Sequence, residues 1–292
     1  MTTTPLTTPA SLSRNPSSTL SSVRADPMSR VISRDGTAIA YERLGAGPPL
    51  ILVDGALCSR AFGPMPKLAP LLARQFTVYF YDRRGRGQSA DTQPYAKERE
   101  IEDVAALIEA AEGRAALVGL SSGAALALEA ALAKLPVTAV VAYEPPYIEP
   151  AGATRGREHP QRLAALLAAG NRGGALKYFM RDMVGVPAPF VMLTRLMFGL
   201  WRKLEAVAHT LPYDCAVMGD FTLPAQRLAQ ISVPTLVMHG SKTNARLAQA
   251  ATATAAAIPG ARARTLAGQT HNVSPAVLTP AVAEFLQSLP DR

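Results

Sequence analysis

The sequence lacks the features that mark several large classes of protein. Its two cysteines, Cys58 and Cys215, are too few for a disulfide framework, and a reduced, cytoplasmic compartment fits that number. No apolar run approaches the roughly 20 residues that cross a bilayer, so no membrane partner is expected. The chain also has no Cys-x-x-Cys motif and no histidine pair at the spacing of metal ligands. We therefore expect no metal site.

Acidic residues are scarce, with 22 Asp and Glu against 30 Lys and Arg and a net charge of +8. Between Phe221 and Ala283 there is no acidic residue at all. A positive excess can indicate a nucleic-acid surface, but the arginines are scattered, with only short groups, and no aromatic residues alternate with them. One group lies in "DRRGRGQS", residues 82–89, which lacks the full Gly-x-Gly-x-x-Gly of a phosphate loop. We interpret that loop as structural, with Asp82 anchoring its turn, and expect no nucleic-acid partner.

Three kinds of segment follow one another along the chain. Residues 1–28 are rich in Ser, Thr and Pro and have no apolar periodicity, which predicts a disordered tail and leaves a targeting peptide as the alternative. Residues 29–147 and 232–292 alternate short apolar strands with helical patterns, as in a parallel sheet wrapped by helices. Residues 148–231 are Met-rich and helical in pattern. We expect them to form a helical cap inserted after the strand that ends near Tyr143.

The segment Gly119-Leu120-Ser121-Ser122-Gly123 carries the strongest chemical signal. It fits Gly-x-Ser-x-Gly between an apolar strand and a helix, which is the context that a nucleophile elbow requires. Small residues are needed there because the chain passes close to itself in the turn. The N-terminus of the following helix favours a developing oxyanion. The pattern predicts that Ser121 is a nucleophile, and the alternative is a Gly- and Ser-rich turn at a strand end.

Together with two further motifs, this segment resembles the α/β-hydrolase superfamily. The resemblance runs from about Ser29 to Arg292 and is carried by "GLSSG", "DRRGRGQS" and "GQTHNVSP". It implies a mostly parallel sheet flanked by helices, and it assigns His271 as the catalytic histidine. Position favours the same residue, because His159 and His209 lie in the predicted cap and His239 ends a buried strand.

The resemblance also locates an oxyanion hole. One backbone N–H comes from the residue after the nucleophile, here Ser122, and the other from the loop "VDGALCSR". Many members of the family have His-Gly there, whereas this sequence has Asp54-Gly55, so Gly55 or Ala56 would donate. Backbone donors do not depend on side-chain type. We expect Asp54 to point away from the oxyanion and to hold the loop by accepting backbone hydrogen bonds.

The acid of the triad needs a separate argument. The loop that usually carries it in the family reads Ser241-Lys242-Thr243-Asn244 and has no carboxylate. Glu144 ends the strand that follows the nucleophile strand, and the carboxyl ends of parallel strands share one edge of a sheet. We therefore predict Glu144 as the acid, with Asp214 and Asp220 at the end of the cap as fallback acids. The alternative for Glu144 is a carboxylate that caps nearby backbone N–H groups.

Three short segments resemble zearalenone lactonases, which are α/β hydrolases that open a resorcylic macrolactone. They are Asp54-Gly55, Ser121-Ser122-Gly123 and the segment around Glu144. This resemblance supports a Ser–Glu–His triad and suggests a zearalenone-type macrolactone as one substrate.

The expected function is hydrolysis of a hydrophobic ester or lactone through an acyl-enzyme, without a cofactor. Cofactor-free C–C hydrolases, thioesterases and perhydrolases share the fold and are alternatives. A non-catalytic ligand receptor also stays open, because the usual loop has no acid. The Met-rich cap is either adapted to an apolar substrate or filled with Met as core material. The sequence leaves homo-oligomer formation open.

Overall fold

The computed structural model describes Met1 and residues 29–290, so the predicted tail lies outside the described residues apart from Met1. The strands are β1 Ser29–Ile32, β2 Ala38–Leu44, β3 Pro49–Val53, β4 Thr77–Tyr81, β5 Ala115–Leu120, β6 Val137–Tyr143, β7 Thr235–Gly240 and β8 Arg262–Leu266. The helices are α1 Met65–Leu72, α2 Lys97–Ala110, α3 Ser122–Leu132, α4 Arg155–Ala168, α5 Arg172–Tyr178, α6 Ala188–Leu196, α7 Phe198–Val207, α8 Leu211–Met218, α9 Ala225–Leu228, α10 Ala245–Ala257 and α11 Pro275–Gln287.

All eight strands form one sheet in the order β1-β2-β4-β3-β5-β6-β7-β8. The strands β1 and β2 are an antiparallel hairpin whose turn contains Gly36 at φ 85° and Asp35, which accepts the N–H of Thr37 at 3.0 Å. The pair β2–β4 is also antiparallel, and every other pairing is parallel. The predicted α/β fold with a mostly parallel sheet flanked by helices is confirmed.

Apolar side chains pack on both faces of the sheet. In β3, Leu50 and Leu52 join the core formed with α1 and α11, while Ile51 and Val53 join the core formed with α2 and α3. All four are fully buried, and each contributes about 2 kcal/mol of hydrophobic free energy. Continuous apolar strands are expected where helices cover both faces of a parallel sheet.

The connection between β6 and β7 is helical, as the sequence predicts. It contains α4 to α9 and, among the described residues, no strand beyond an isolated bridge between Glu149 and Thr222. Helix α8 packs against α3 and so ties this segment to the sheet domain. Its treatment as a separate cap remains a proposal. Within residues 29–290, no helix is long and apolar enough to cross a membrane.

The carboxyl ends of the parallel strands bring the candidate residues to one edge of the sheet. Strand β3 leads into Asp54, β5 into Ser121 and β6 into Glu144. The loops after β7 and β8 open at the same edge, and the second of them carries His271. Residues that are distant along the chain are therefore neighbours in space.

Candidate active site

Ser121 lies in a tight turn between β5 and α3. Its backbone adopts φ 55° and ψ −125°, a strained conformation for a residue with a side chain. A Cβ at Gly119 would lie 2.3 Å from the carbonyl oxygen of Gly123, and a Cβ at Gly123 would lie 2.2 Å from that of Val53. The two glycines therefore permit a close chain crossing that holds Ser121 at the end of its strand.

Glu144 and His271 form a short hydrogen bond at this edge. His271 Nδ1 lies 2.6 Å from Glu144 Oε2, and Glu144 is fully buried. Since a carboxylate can only accept, Nδ1 carries a proton, and in the neutral imidazole the lone pair is then on Nε2. Among the described residues, no hydrogen bond joins Ser121 to His271. Such catalytic contacts are often long before substrate binds.

One backbone donor and one side-chain donor, in addition to His271, hold the carboxylate of Glu144 in place. Gly240 N donates to Oε1 at 2.8 Å, and Thr243 Oγ1 donates to Oε2 at 3.0 Å. Burial acts to raise the pKa of Glu144, but the hydrogen bonds from His271, Gly240 and Thr243 outweigh burial and leave that pKa below its usual value. The side chain is therefore ionised at neutral pH.

The residues around this pair include two that the sequence does not mark as functional. Tyr143 donates its hydroxyl to the carbonyl oxygen of Thr270 at 2.6 Å, which holds the loop before His271. Thr243 supplies the second donor to Glu144 described above. Asn244, in the loop that usually carries the acid, caps α10 by accepting the N–H of Leu247 at 3.0 Å. No sequence motif distinguishes these roles.

The geometry of the loop after β3 favours Ala56 over Gly55 as the oxyanion donor from that loop. Gly55 N donates to Asp54 Oδ1 at 2.9 Å, so that N–H is already used. Ala56 N–H has no acceptor among the described residues. Ser122 is the first residue of α3, and its N–H has no partner within the helix. A Cβ at Gly55 would lie 3.2 Å from that of Ser121, which places the loop directly against the elbow.

Asp54 is a buried carboxyl with only one oxygen satisfied. Oδ1 accepts the Gly55 N–H, as expected from the sequence, while Oδ2 has no oxygen or nitrogen donor among the described residues and only the weak thiol donor of Cys58 beside the carboxyl. Burial raises the pKa of Asp54 to about 7, against the smaller lowering effects of the Gly55 hydrogen bond and the charge of Arg86. Near neutral pH, the carboxyl of Asp54 is therefore partly protonated.

This raised pKa predicts a pH-dependent stability difference between the wild type and Asp54→Asn. The folded state holds the proton up to about pH 7, whereas the unfolded chain releases it near 3.8. Wild-type stability relative to the variant is therefore full below about pH 4, falls as the pH rises to about 7 and then levels off, losing about 4 kcal/mol. Urea denaturation at pH 4.5, 6 and 8 measures this difference.

Asp220→Asn is the control for that measurement. Asp220 is only partly buried, and hydrogen bonds from Thr222 hold the pKa of its carboxyl below the usual value. Its contribution is therefore lost on acidification and does not change above about pH 4. A constant difference between wild type and Asp54→Asn from pH 4.5 to 8 would contradict an elevated pKa for Asp54.

Neither fallback acid contacts His271. Asp214 is buried and accepts hydrogen bonds from Arg83 Nη1 at 2.8 Å, Arg86 Nη2 at 2.7 Å and Ser122 Oγ at 2.7 Å. Burial acts to raise the pKa of Asp214, but the charges of Arg86 and Arg83 outweigh it and leave that pKa below its usual value. Asp220 accepts from the N–H and the hydroxyl of Thr222. Both carboxylates have other partners.

The loop "DRRGRGQS" is structural, and Asp82 anchors it as predicted. Asp82 accepts the N–H of Arg60 at 2.6 Å and that of Gln88 at 2.9 Å. The sequence does not show that the three arginines of this loop are at most 1% exposed. Arg84, for example, pairs with Asp103 at 2.7 Å and with Asp35 at 2.8 Å. These charges lie inside the protein and contribute no basic surface.

A cavity of about 460 Å³ opens beside His271 and Ala56. Its apolar lining is Leu57, Phe62, Phe179, Met180, Val184, Val186 and Leu204, and its remaining lining is Lys242, Thr243, Asn244, Thr270 and Asn272. Met180 is the methionine among them, so the other methionines of α4–α9 do not line this space. A larger cavity of about 1170 Å³ lies among α5, α6 and α7 and contains none of the candidate catalytic residues.

Among the described residues, no cluster of three or more His, Cys, Asp or Glu side chains is placed to hold a metal ion. The chemical groups at this edge are a strained serine, a histidine on a buried carboxylate and unpaired backbone N–H groups. That combination suits nucleophilic attack on a carbonyl carbon with stabilisation of the resulting oxyanion.

Comparisons with known proteins bear on the fold that carries this site. The model of the alpha/beta hydrolase family matches residues 36–284. An alpha/beta hydrolase from Sphaerobacter thermophilus is 51% identical, with a TM-score of 0.82 over 88% of this chain and 100% of that one. A hydrolase from Pseudomonas aeruginosa is 28% identical, with a TM-score of 0.70 over 91% and 100%.

The enol-lactonase from Burkholderia xenovorans is 22% identical, with a TM-score of 0.65 over 89% of this chain and 100% of that one, which is a likeness of fold alone. No match to this chain is found among the curated proteins. The comparisons do not confirm the motif-level resemblance to zearalenone lactonases.

Proposed function

The chain belongs to the alpha/beta hydrolase family, and on that premise we propose that it is a serine hydrolase of hydrophobic small-molecule esters or lactones. The observation that carries the proposal is the 2.6 Å contact between His271 Nδ1 and the buried Glu144, at the sheet edge where Ser121 sits in a strained elbow. Activation of a serine requires a histidine that is oriented in this way by a carboxylate.

In the proposed reaction, Ser121 Oγ attacks the carbonyl carbon while His271 Nε2 accepts the hydroxyl proton. The tetrahedral oxyanion receives hydrogen bonds from the N–H groups of Ala56 and Ser122. Collapse of the intermediate breaks the bond to the leaving alkoxide, which takes the proton from His271. Water then attacks the acyl-enzyme with His271 as base, releasing the carboxylic acid and restoring Ser121.

Glu144 serves this cycle by holding His271 in one tautomer and stabilising the imidazolium. Its lowered pKa keeps the carboxylate ionised when the positive charge forms on the histidine. Because Glu144 directly follows β6 and reaches His271, the loop after β7 needs no acid. The short chain of contacts from Gly240 and Thr243 through Glu144 to His271 supports a catalytic role over a purely capping one.

The shape and lining of the cavity support a small, mostly apolar substrate. A volume of about 460 Å³ falls within the usual range for small-molecule sites, roughly 300–1,000 Å³. Phe179, Met180 and Val184 come from the segment between β6 and β7, which we propose acts as a cap over the site. Macrolactones of the zearalenone type, as well as simple aryl esters, are therefore substrates to test.

Fluorophosphonate labelling followed by intact-mass analysis tests the proposal. We expect one adduct on the wild type and none on Ser121→Ala. Ser241→Ala is the matched control, because its hydroxyl only accepts the Gly268 N–H at 2.8 Å, and it should label like the wild type. An unlabelled wild type would show that Ser121 is not activated and would favour a ligand receptor.

A substrate panel then separates the reaction types. Aryl esters, macrolactones, thioesters and C–C cleavage substrates are compared by kcat/KM with Ser121→Ala as the blank. We expect the highest values for esters or lactones. Turnover confined to thioesters or to C–C substrates would replace the proposed activity with one of the other activities of the fold.

A further inference from the structure

A buried arginine lies behind the loop that carries the candidate oxyanion donor. Arg86 is 1% exposed and has an acceptor for each of its three nitrogens. Nη1 donates to the carbonyl oxygen of Gly55 at 2.7 Å, Nη2 to Asp214 Oδ2 at 2.7 Å and Nε to Thr210 Oγ1 at 3.1 Å. The guanidinium is therefore fixed between the oxyanion loop and the segment that precedes and includes α8.

The contact with Gly55 determines the direction of the next N–H. In a planar trans peptide, the carbonyl oxygen and the N–H point to opposite sides. Arg86 holds the Gly55 oxygen toward the protein interior, so the Ala56 N–H of the same peptide points away from Arg86. Ala56 lines the cavity that contains His271, and its N–H has no other acceptor among the described residues. Gly55 N–H cannot take its place while it donates to Asp54.

The second donor-bearing segment is tied to the same carboxylate. Asp214 Oδ1 accepts the hydroxyl of Ser122 at 2.7 Å and Arg83 Nη1 at 2.8 Å. Arg83 Nη1 also lies 3.3 Å from the carbonyl oxygen of Asp54. Asp214 is 1% exposed and lies in α8. One residue of the helical segment therefore connects the loop after β3 with the start of α3.

We infer that Arg86 and Asp214 are positioning residues that aim the N–H groups of Ala56 and Ser122 at the oxyanion. The inference rests on the proposed function. Neither side chain touches the substrate, and both act through the backbone that they hold. Docking of α8 from the segment between β6 and β7 then completes the oxyanion hole, so that segment has a part in catalysis beyond covering the substrate.

The test compares Arg86→Lys with Arg84→Lys. Both remove a buried guanidinium from the same loop, but Arg84 pairs with Asp35 and Asp103 and contacts neither the oxyanion loop nor Asp214. A lysine at position 86 keeps the charge but cannot bind Gly55 O and Asp214 with separate nitrogens in one plane. We expect Arg86→Lys to lower kcat about 100-fold with little change in KM, as for loss of an oxyanion donor.

Binding of a trifluoromethyl ketone gives a readout that a purely structural role would not change. This inhibitor forms a hemiketal oxyanion on the serine, whereas a substrate in its ground state does not. Its Ki should rise in Arg86→Lys by about the same factor as kcat/KM falls, and stay near the wild-type value in Arg84→Lys. The pH profile of kcat/KM should keep its wild-type shape in Arg86→Lys, because the contacts of His271 are unchanged.

Asp214→Asn is the second variant, for use if Arg86→Lys does not fold. It keeps the size of the side chain and an oxygen for Ser122, and we expect an intermediate loss of kcat with a parallel rise in Ki. Equal rates and equal Ki values for folded Arg86→Lys and Arg84→Lys would overturn this inference but leave the proposed function standing. Absence of wild-type turnover and labelling would overturn the proposed function and, with it, this inference.

Discussion

The variant His271→Ala is expected to lower kcat for an ester substrate about 10⁶-fold, because His271 is the base that takes the proton from Ser121 in the proposed reaction. Ser121→Ala should cost about as much. The double variant should be no slower than either single variant, since nucleophile and base act as one unit. Initial rates with an aryl ester at enzyme concentrations high enough to detect residual turnover measure all three.

The control for this series is His239→Ala. His239 lies at the end of β7, where its ring nitrogens face Gly240 O at 3.2 Å and Thr265 Oγ1 at 3.1 Å. His239 makes no hydrogen bond to Glu144, so kcat of His239→Ala should stay within a few-fold of the wild-type value. A loss smaller than about 100-fold in His271→Ala would rule out that residue as the general base.

Replacing Glu144 by Gln is expected to lower kcat about 10⁴-fold while changing KM little. An amide in this position has no charge to stabilise the imidazolium and can present an N–H to His271 Nδ1, which favours the wrong tautomer. Fluorophosphonate labelling should slow in parallel, because it uses the same activated serine. The measurement is kcat and the labelling rate on one preparation, with thermal denaturation to show that the variant is folded.

Glu149→Gln serves as the matched control. Glu149 lies five residues further along, and its carboxylate pairs with Arg246 at 2.9 Å without contacting His271. Its kcat should remain close to the wild-type value. If Glu144→Gln were as active as Glu149→Gln, Glu144 would be a capping carboxylate and His271 would need another orienting group.

The nucleophile elbow and the acid Glu144 could be predicted from the sequence. The elbow depends on a local steric constraint, and the position of the acid depends on the topology of the sheet. Gly119 and Gly123 are needed where backbones cross at distances that exclude a Cβ, and a short motif records that need. Glu144 follows from a rule about parallel strands, whose carboxyl ends share an edge of the sheet. Both arguments hold without knowledge of any side-chain contact.

The rest depends on side-chain packing between distant segments. A run of arginines after a strand looks like exposed charge, yet the partners of Arg83 lie 17 and 131 positions away, at Glu100 and Asp214. The choice between Gly55 and Ala56 as donor depends on whether the Asp54 carboxyl folds back onto its neighbour's N–H. Neither fact leaves a periodic pattern in the sequence. Asp214 consequently resembles a spare acid, although its partners are Arg83, Arg86 and Ser122.

Because the acid directly follows β6, the loop after β7 lines the cavity without also supplying the acid, as it does in many hydrolases. Here Lys242 lines the cavity without contacting Glu144, and only Thr243 of the loop after β7 donates to that carboxylate. Substitution of Lys242 is therefore expected to change the lining of the cavity while leaving the hydrogen bonds of Glu144 in place. This position is therefore a site where substrate preference can be varied separately from the orientation of His271.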